Sequence, residues 1–513
     1  MKKNVFALSV ATALAALAGS ANAQVPFIQP DAGTVSAGNV VATEFRVNDG
    51  GIGHVLLNPY YTVQGSRNTL LNIVNTDTKN GKAVKVRFRG ARNSDDVFDF
   101  YVFLSPGDVW RSRVYRKGEQ TYLESNDTSC TLPSLDVIKD TPFKTVRVFN
   151  GAESEVREGY VELLTAADVP PGSALFKTIK HDLITGKVAC SLPQLIDSTV
   201  RLTDLATARK NGLDFPTAGL IGHWAIVDVS KNTAVSGNTT ALVATDAAGT
   251  YGAGSIVVAP QDATIAPLAW TDVASPILGT TDPLLTQGSV QAQNFDFPDL
   301  STPYVKYAST AARTPAGHQA NELSAALAAN KIVNEFSTGM GVDLKTDWVF
   351  SMPTRRYGVA IDYAANAAVQ NPESAFFQLV GKNSRAGNVR FEVENSIPHL
   401  SITLNGAYFD NNERHLQPEV SPARIQRLAG EVNVLTFNGN PADSVLGAQI
   451  AAQRVNPVLG KESIAEGWAA VSLENSVAVA NGYRSGLPVI GYASFTAGAA
   501  ALGFTWPHRY SRY

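Results

Sequence analysis

The stretch from Ala83 to Arg89 constrains the fold more than any other feature of this chain. Its side chains alternate without a break: Val84, Val86 and Phe88 fall on one face, Lys85, Arg87 and Arg89 on the other. A period of two belongs to an extended strand with one apolar and one polar face. The turn residues Asp77-Thr78-Lys79-Asn80-Gly81 precede it, and Thr69–Asn75 reads as the strand before that turn. Phe98, Phe100, Val102 and Leu104 share the next apolar face, and Ser105-Pro106-Gly107 turns into Asp108–Tyr115. Thr145–Phe149 and Val156–Thr165 read as two more strands. Short strands at about ten-residue spacing predict a mainly β chain, with an immunoglobulin-like β-sandwich over residues 24–165.

Residues 166–345 read as a mixed α/β middle region. Helices are expected within Ser173–Ile184 and Ser198–Lys210, and a strand at Gly219–Val229. The stretch 232–303 is rich in Ala, Thr, Gly and Pro and poor in charge, which predicts a long loop. Glu322–Glu335 is Ala-rich and free of Gly and Pro, which predicts the best helix of the chain. Residues 346–513 return to strands as a C-terminal β-rich domain, at Asp347–Ser351, Tyr357–Tyr363, Ala375–Val380, Asn388–Val393, Leu400–Leu404 and Glu431–Phe437.

The chain has 513 residues, 44% hydrophobic and 17% charged, with a net charge of −3. That balance excludes a disordered chain, a coiled coil and a basic nucleic-acid binder, so no nucleic-acid partner is expected. Residues 1–23 have the make-up of a secretory signal. Lys2 and Lys3 precede the apolar run Val5–Ala18, and Ala21-Asn22-Ala23 offers small residues before Gln24. The run is shorter than a membrane span requires, and no later stretch is long enough, so no transmembrane segment is expected after cleavage. Losing the two leader lysines leaves 40 basic against 45 acidic residues, a charge of −5. An outer-membrane barrel would carry its alternation to the C-terminus. Here Pro507, Arg509 and Ser511 interrupt it.

Cys130 and Cys190 are the only cysteines. In an oxidising compartment two lone cysteines pair, and neither has a Cys-x-x-Cys partner or an adjacent His, so a structural disulfide is expected.

Several strings resemble a group of secreted proteobacterial proteins usually called "cell surface protein". They are Gly53–Val63 (GHVLLNPYYTV), Ala83–Arg89 (AVKVRFR), Asn93–Phe100 (NSDDVFDF), Leu104–Trp110 (LSPGDVW), Thr346–Arg356 (TDWVFSMPTRR) and Gly486–Tyr492 (GLPVIGY). The resemblance spans most of the chain and implies export and surface exposure. It carries over no catalytic residue.

Chemistry-bearing patterns are sparse. No Gly-x-Ser-x-Gly elbow is present, and Ser485 and Ser494 stand out of its register. None of the seven histidines lies within five residues of another, against a local zinc motif. Distant histidines could still converge on zinc or copper in the fold; Asp410, Asn412 and Glu413 pack oxygen ligands into one short loop near Glu419, a calcium candidate set against an ordinary solvated turn. Asp95, Asp96 and Asp99 are expected to pair with Lys85, Arg87, Arg89 and Arg92. Tyr60, Tyr61 and Trp110, with Tyr101 and Tyr115, are candidates for an aromatic ligand platform, as are Trp506, Tyr510 and Tyr513.

These features predict an exported cell-surface structural or assembly protein of a Gram-negative bacterium: a surface-layer, matrix or adhesin-like subunit. It would sit at the cell surface or outside the cell, the periplasm being the alternative, and associate with itself or with other envelope components. The alternative is a secreted binding protein or hydrolase acting on an extracellular polymer or apolar ligand.

Overall fold

A computed structural model describes residues 27–258, 261, 305–306 and 315–512, apart from positions 37, 200–201, 203, 340, 374, 381–387, 415–424, 440–443, 460–461, 474–485 and 499–500. The expected leader, Glu419, Tyr513 and most of the stretch 232–303 lie outside the described residues. The fold is mainly β, as the alternation predicts.

The N-terminal half holds two antiparallel sheets. Its strands are β1 (Glu44–Val47), β2 (Val55–Thr62), β3 (Arg67–Asn75), β4 (Gly81–Gly90), β5 (Asp96–Leu104), β6 (Val109–Lys117), β7 (Gln120–Glu124), β8 (Cys130–Leu132), β9 (Glu158–Val169), β10 (Leu220–Asp228), β11 (Thr233–Asn238) and β12 (Thr240–Thr245). The larger sheet runs β8-β5-β4-β9-β2-β12-β1 and the smaller β11-β10-β3-β6-β7. Between them lies an apolar core in which Val84, Val86, Phe88, Phe98, Phe100 and Val102 meet Leu71, Ile73, Trp110 and Val114. The face predicted from Ala83–Arg89 is therefore the sandwich core, each large side chain contributing about 1.5–3 kcal/mol by burial.

The domain limits differ from the expectation. The boundary at 165 falls inside β9. The front of the supposed loop 232–303 forms β11 and β12, both integral to the N-terminal sheets. Thr145–Phe149 is not a strand; it leads into a short 3-10 turn at Phe149–Gly151. The middle region does supply three short helices, α1 (Ala174–Ile179), α2 (Leu192–Thr199) and α3 (Leu205–Lys210).

The helix expected over Glu322–Glu335 is displaced. Helix α4 spans Pro315–Leu327, and Lys331–Ser337 is strand β13. Ile332, Val333 and Phe336 lose rotamer freedom in a helix and fit a pleated sheet, so pairing with a neighbouring strand overrides the Ala-rich propensity.

The C-terminal half repeats the two-sheet plan. Its further strands are β14 (Leu344–Ser351), β15 (Val389–Glu394), β16 (Ile397–Asp410), β17 (Ile425–Ala429), β18 (Val432–Phe437), β19 (Ala452–Val455), β20 (Glu466–Ser472), β21 (Ile490–Ala497), β22 (Leu502–Pro507) and β23 (Arg509–Ser511). One sheet runs β15-β16-β20-β13-β23, with β17 also pairing β16; the other runs β19-β18-β14-β21-β22. Ala375–Val380 forms no strand, only an isolated bridge from Leu379 to Val389.

A polar strand face ordinarily meets water, yet Lys85, Arg87 and Arg89 are fully buried. Lys85 Nζ lies 3.1 Å from Asp99, and the Arg87 and Arg89 guanidinium groups share Glu162 Oε2 at 3.2 and 3.1 Å. The C-terminal half covers this layer. Arg356 reaches Asp95 at 2.9 Å, and Arg355 stands 3.2 Å from Glu431. Glu158 closes the junction: its carboxylate accepts the backbone N–H groups of Gln449, Ile450 and Ala451 at 2.7–3.2 Å, plus Gln64 Nε2 at 2.7 Å. Three successive amides converging on one anion make a nest.

Candidate functional site

The outward face of the smaller N-terminal sheet carries an open, polar-lined depression. Along β6, Trp110, Ser112 and Val114 point into the core, which turns Arg111, Arg113 and Tyr115 outward. Along β3 the same alternation turns out Asn68, Leu70, Asn72 and Val74. Strand register then sets these residues in rows. Asn72 stands between His223 and Arg111, and Leu70 between Ala225 and Arg113, which in turn faces Glu124. The result is an open depression of about 450 Å³ lined by Leu70, Asn72, Arg111, Arg113, Glu124 and Asp127, among others.

Its electrostatics are local. Arg113 pairs with Glu124 at 2.7 Å and lies over the Tyr115 ring, 4.7 Å from the centroid. Tyr115 and Tyr122 face each other across the strand pair with centroids 6.1 Å apart. Partial burial, then the nearby Glu124 carboxylate, raises the Tyr115 pKa, so its hydroxyl stays a donor at neutral pH. Arg111 is exposed beside Asn72, and Asp127 is occupied by the Ser129 hydroxyl and backbone N–H. The surface offers an exposed planar guanidinium, an amide, a braced Arg–Glu pair and two phenol rings.

The aromatic platform proposed from sequence is corrected here. Tyr60, Tyr61 and Trp110 are all fully buried, so none presents a ring face to solvent. Every residue of β2 is buried because that strand is covered on both faces, so alternation along it produces no wet side. The Tyr60 hydroxyl donates to Glu158, the Tyr61 hydroxyl to the Val156 carbonyl, and Trp110 packs on Phe100. Of the first-sandwich aromatics named above, Tyr115 alone reaches the outward face. The signal for it was present: Val109–Lys117 alternates, with Arg111 and Arg113 in phase with Tyr115.

In the Asp410–Glu413 loop, the Asp410 carboxylate is engaged within the turn itself. Asp410 accepts from Arg414 Nε at 2.6 Å and from the backbone N–H groups of Asn412 and Arg414, both at 2.9 Å. Desolvation raises its carboxyl, but these bonds and the Arg414 charge together outweigh it and hold the carboxyl below the usual range. Among the described residues, no three metal-ligating side chains cluster. The strand-end turn is filled by its own arginine.

Cys130 and Cys190 form a disulfide, with Cα atoms 5.3 Å apart. His54 and His508 are buried, and burial lowers each pKa to about 3. Trp506 is exposed on β22, whereas Tyr510 is half-buried and donates to the Gly491 carbonyl. A second concavity, about 460 Å³, opens at the junction of the halves between Arg92, His399, Arg427 and Gln449. Two of its cations are already paired, Arg92 with Glu155 and Arg427 with Glu392.

Searches of this chain against protein-family models, against curated proteins and against solved structures returned no match.

Proposed function

We propose that this chain is an exported, adhesin-like cell-surface protein that holds an extracellular glycan on the outward face of its smaller N-terminal sheet. The row Arg111–Arg113–Tyr115, with Asn72 and Tyr122 beside it, carries this reading. Guanidinium and amide groups offer paired donors to neighbouring sugar hydroxyls, and phenol rings offer flat faces to the C–H side of a sugar. A rigid sheet holds these groups with little ordering cost on binding. The leader-like residues 1–23, the disulfide and the resemblance to secreted surface proteins support export.

The test is retention on immobilised bacterial polysaccharides. Arg111→Ala and Tyr115→Ala should each weaken retention about tenfold while leaving the melting temperature unchanged. Equal retention of wild type and both variants, or none on any polysaccharide, overturns the assignment.

A second reading, lateral self-association, is favoured by one specific feature. Leu502, Phe504 and Trp506 project from one side of β22, with Leu502 62% exposed. An exposed apolar ladder on a strand suits contact with another copy. Ordered particles in negative-stain images that vanish in Trp506→Glu would establish it; a dispersed wild type would remove it.

A further inference from the structure

We infer that the loop carrying Leu183 and Ile184 is an insertion tip for an anionic lipid surface. Leu183 and Ile184 are 90% and 94% exposed, far beyond every other large apolar side chain described. Isolated exposed aliphatics are ordinary. This pair is not, because the chain is built to hold it outward.

The loop has a closed neck and an internal rung. The Cys190 N–H donates to the Thr178 carbonyl at the neck, and the Asp182 N–H to the Lys187 carbonyl one step out. Asp182 Oδ1 then accepts the N–H groups of Ile184 and Thr185 and the Thr185 hydroxyl, at 3.1, 2.7 and 2.8 Å. Gly186 closes the turn at φ 65°, its N–H donating to the Asp182 carbonyl. The base is fastened to the sandwich by the Cys130–Cys190 disulfide and by His181, whose ring nitrogens lie 3.3 Å from Ser105 Oγ and 3.2 Å from Thr128 Oγ.

Charge identifies the occupant. Lys177, Lys180 and Lys187 are all exposed around the tip. Between Lys177 and Cys190 the single acid is Asp182, whose Oδ1 accepts from the loop backbone, so three lysines stand against one carboxylate. Asp108 and Asp127, at the base, are turned onto Ser105, Val109 and Ser129. A basic collar around two aliphatic side chains, on a chain of net charge −3, has the chemistry of an interfacial anchor for anionic headgroups. The apolar pair enters the acyl boundary while the ammonium groups stay at headgroup level. This gives the surface protein of the preceding section a means of retention, and in that sense rests on it. A protein partner would be expected to offer acids to the lysines and a pocket to the tip; it is an outcome of the test.

The experiment is flotation of residues 24–513 with vesicles of phosphatidylcholine alone or mixed equally with phosphatidylglycerol. The wild type should float with the mixed vesicles and not with the neutral ones. Leu183→Glu with Ile184→Glu should lose at least about tenfold in bound fraction. Lys177→Gln with Lys180→Gln and Lys187→Gln should lose binding and its sensitivity to salt. Unchanged melting temperatures keep these comparisons valid, and the substituted side chains are all exposed. No flotation of the wild type, equal flotation on neutral vesicles, or full binding by the Glu variant each overturns the inference. Loss of cell attachment by the Glu variant with no vesicle binding by wild type assigns the tip to a protein partner instead. Flotation as predicted by a chain that cell fractionation finds unexported would leave the loop assignment standing and remove the surface reading.

Discussion

Glu431 sits in the junction between the halves, fully buried beside Arg355. Burial pushes its carboxyl up to about 7, against the pull of Arg355, Arg356 and Arg89. Folding therefore takes up a proton between the ordinary value of 4.5 and about 7, and this group's contribution to stability falls as pH rises through that window. Asp96, also raised to about 7 by burial and by Asp99, acts in the same direction. His54 and His508 act oppositely. Their pKa values drop from 6.5 to about 3, so stability is lost as pH falls through that range. Between about 4.5 and 6.5 the two pairs offset each other. Replacing Glu431 by Gln removes one falling contribution. The wild-type advantage over Glu431→Gln should shrink by up to about 3 kcal/mol between pH 4.5 and 7.5, measured by denaturant titration at each pH. A difference that stays constant with pH would mean that Glu431 is ionised throughout.

At the scale of single elements, β9 depends on one residue without a side chain. A Cβ at Gly159 would lie 1.8 Å from the Arg89 carbonyl oxygen and 2.8 Å from the Tyr61 ring. The carbonyl belongs to paired strand β4 and cannot swing aside. Gly159→Ala should lower stability by about 2–4 kcal/mol, read as a drop in melting temperature; a variant as stable as wild type would contradict the strand spacing. The disulfide acts on another element, the segment from β8 to the tip loop. Closing a separation of 60 residues stabilises by about 4 kcal/mol in the chain-entropy account. Cys130→Ser should lose much of that and expose Lys180 and Lys187 to faster tryptic cleavage, followed by gel. Two reactive thiols in the native wild type would refute the pairing.

For the whole molecule the decisive feature is a charged layer where two halves could have met as independent domains. Breaking a buried, hydrogen-bonded pair costs about 3–5 kcal/mol, because the partner charge is left stranded. Neither half can leave the other without stripping Glu158 of three backbone N–H groups and Asp95 of Arg356; Arg67 would keep Asp228 and lose its bond to the Val445 carbonyl across the junction at 3.2 Å. Calorimetry of the wild type should therefore show one cooperative transition, and Glu158→Gln with Arg356→Gln should split it in two. Two transitions in the wild type would mean that the layer does not couple the halves. Five of the six sequence strings singled out above meet here. Tyr60, Arg87, Asp95, Arg356 and Tyr492, one from each of five of them, all lie buried at or beside this junction. Those strings specify how the molecule is joined, and the open face lies elsewhere.

Local periodicity determined a great deal by itself: the β class, most strand positions and the inward faces of β4 and β5; the cysteine count alone pointed to the pairing of Cys130 with Cys190. Each of these depends on neighbours in sequence or on composition, which a chain carries before it folds. The outward row of β6 was equally legible as a pattern. Which aromatics were wet was not, because burial is set by what packs over a face. Trp110 lies on the inward phase of β6, opposite Tyr115, whereas Tyr60 is buried because β2 is covered on both faces. The same cause hid the charged junction, since a polar strand face reads as solvent-facing until another sheet is found to cover it. Helix α4 ended early for a tertiary reason too: β13 gained partners in β20 and β23 that no local propensity could supply.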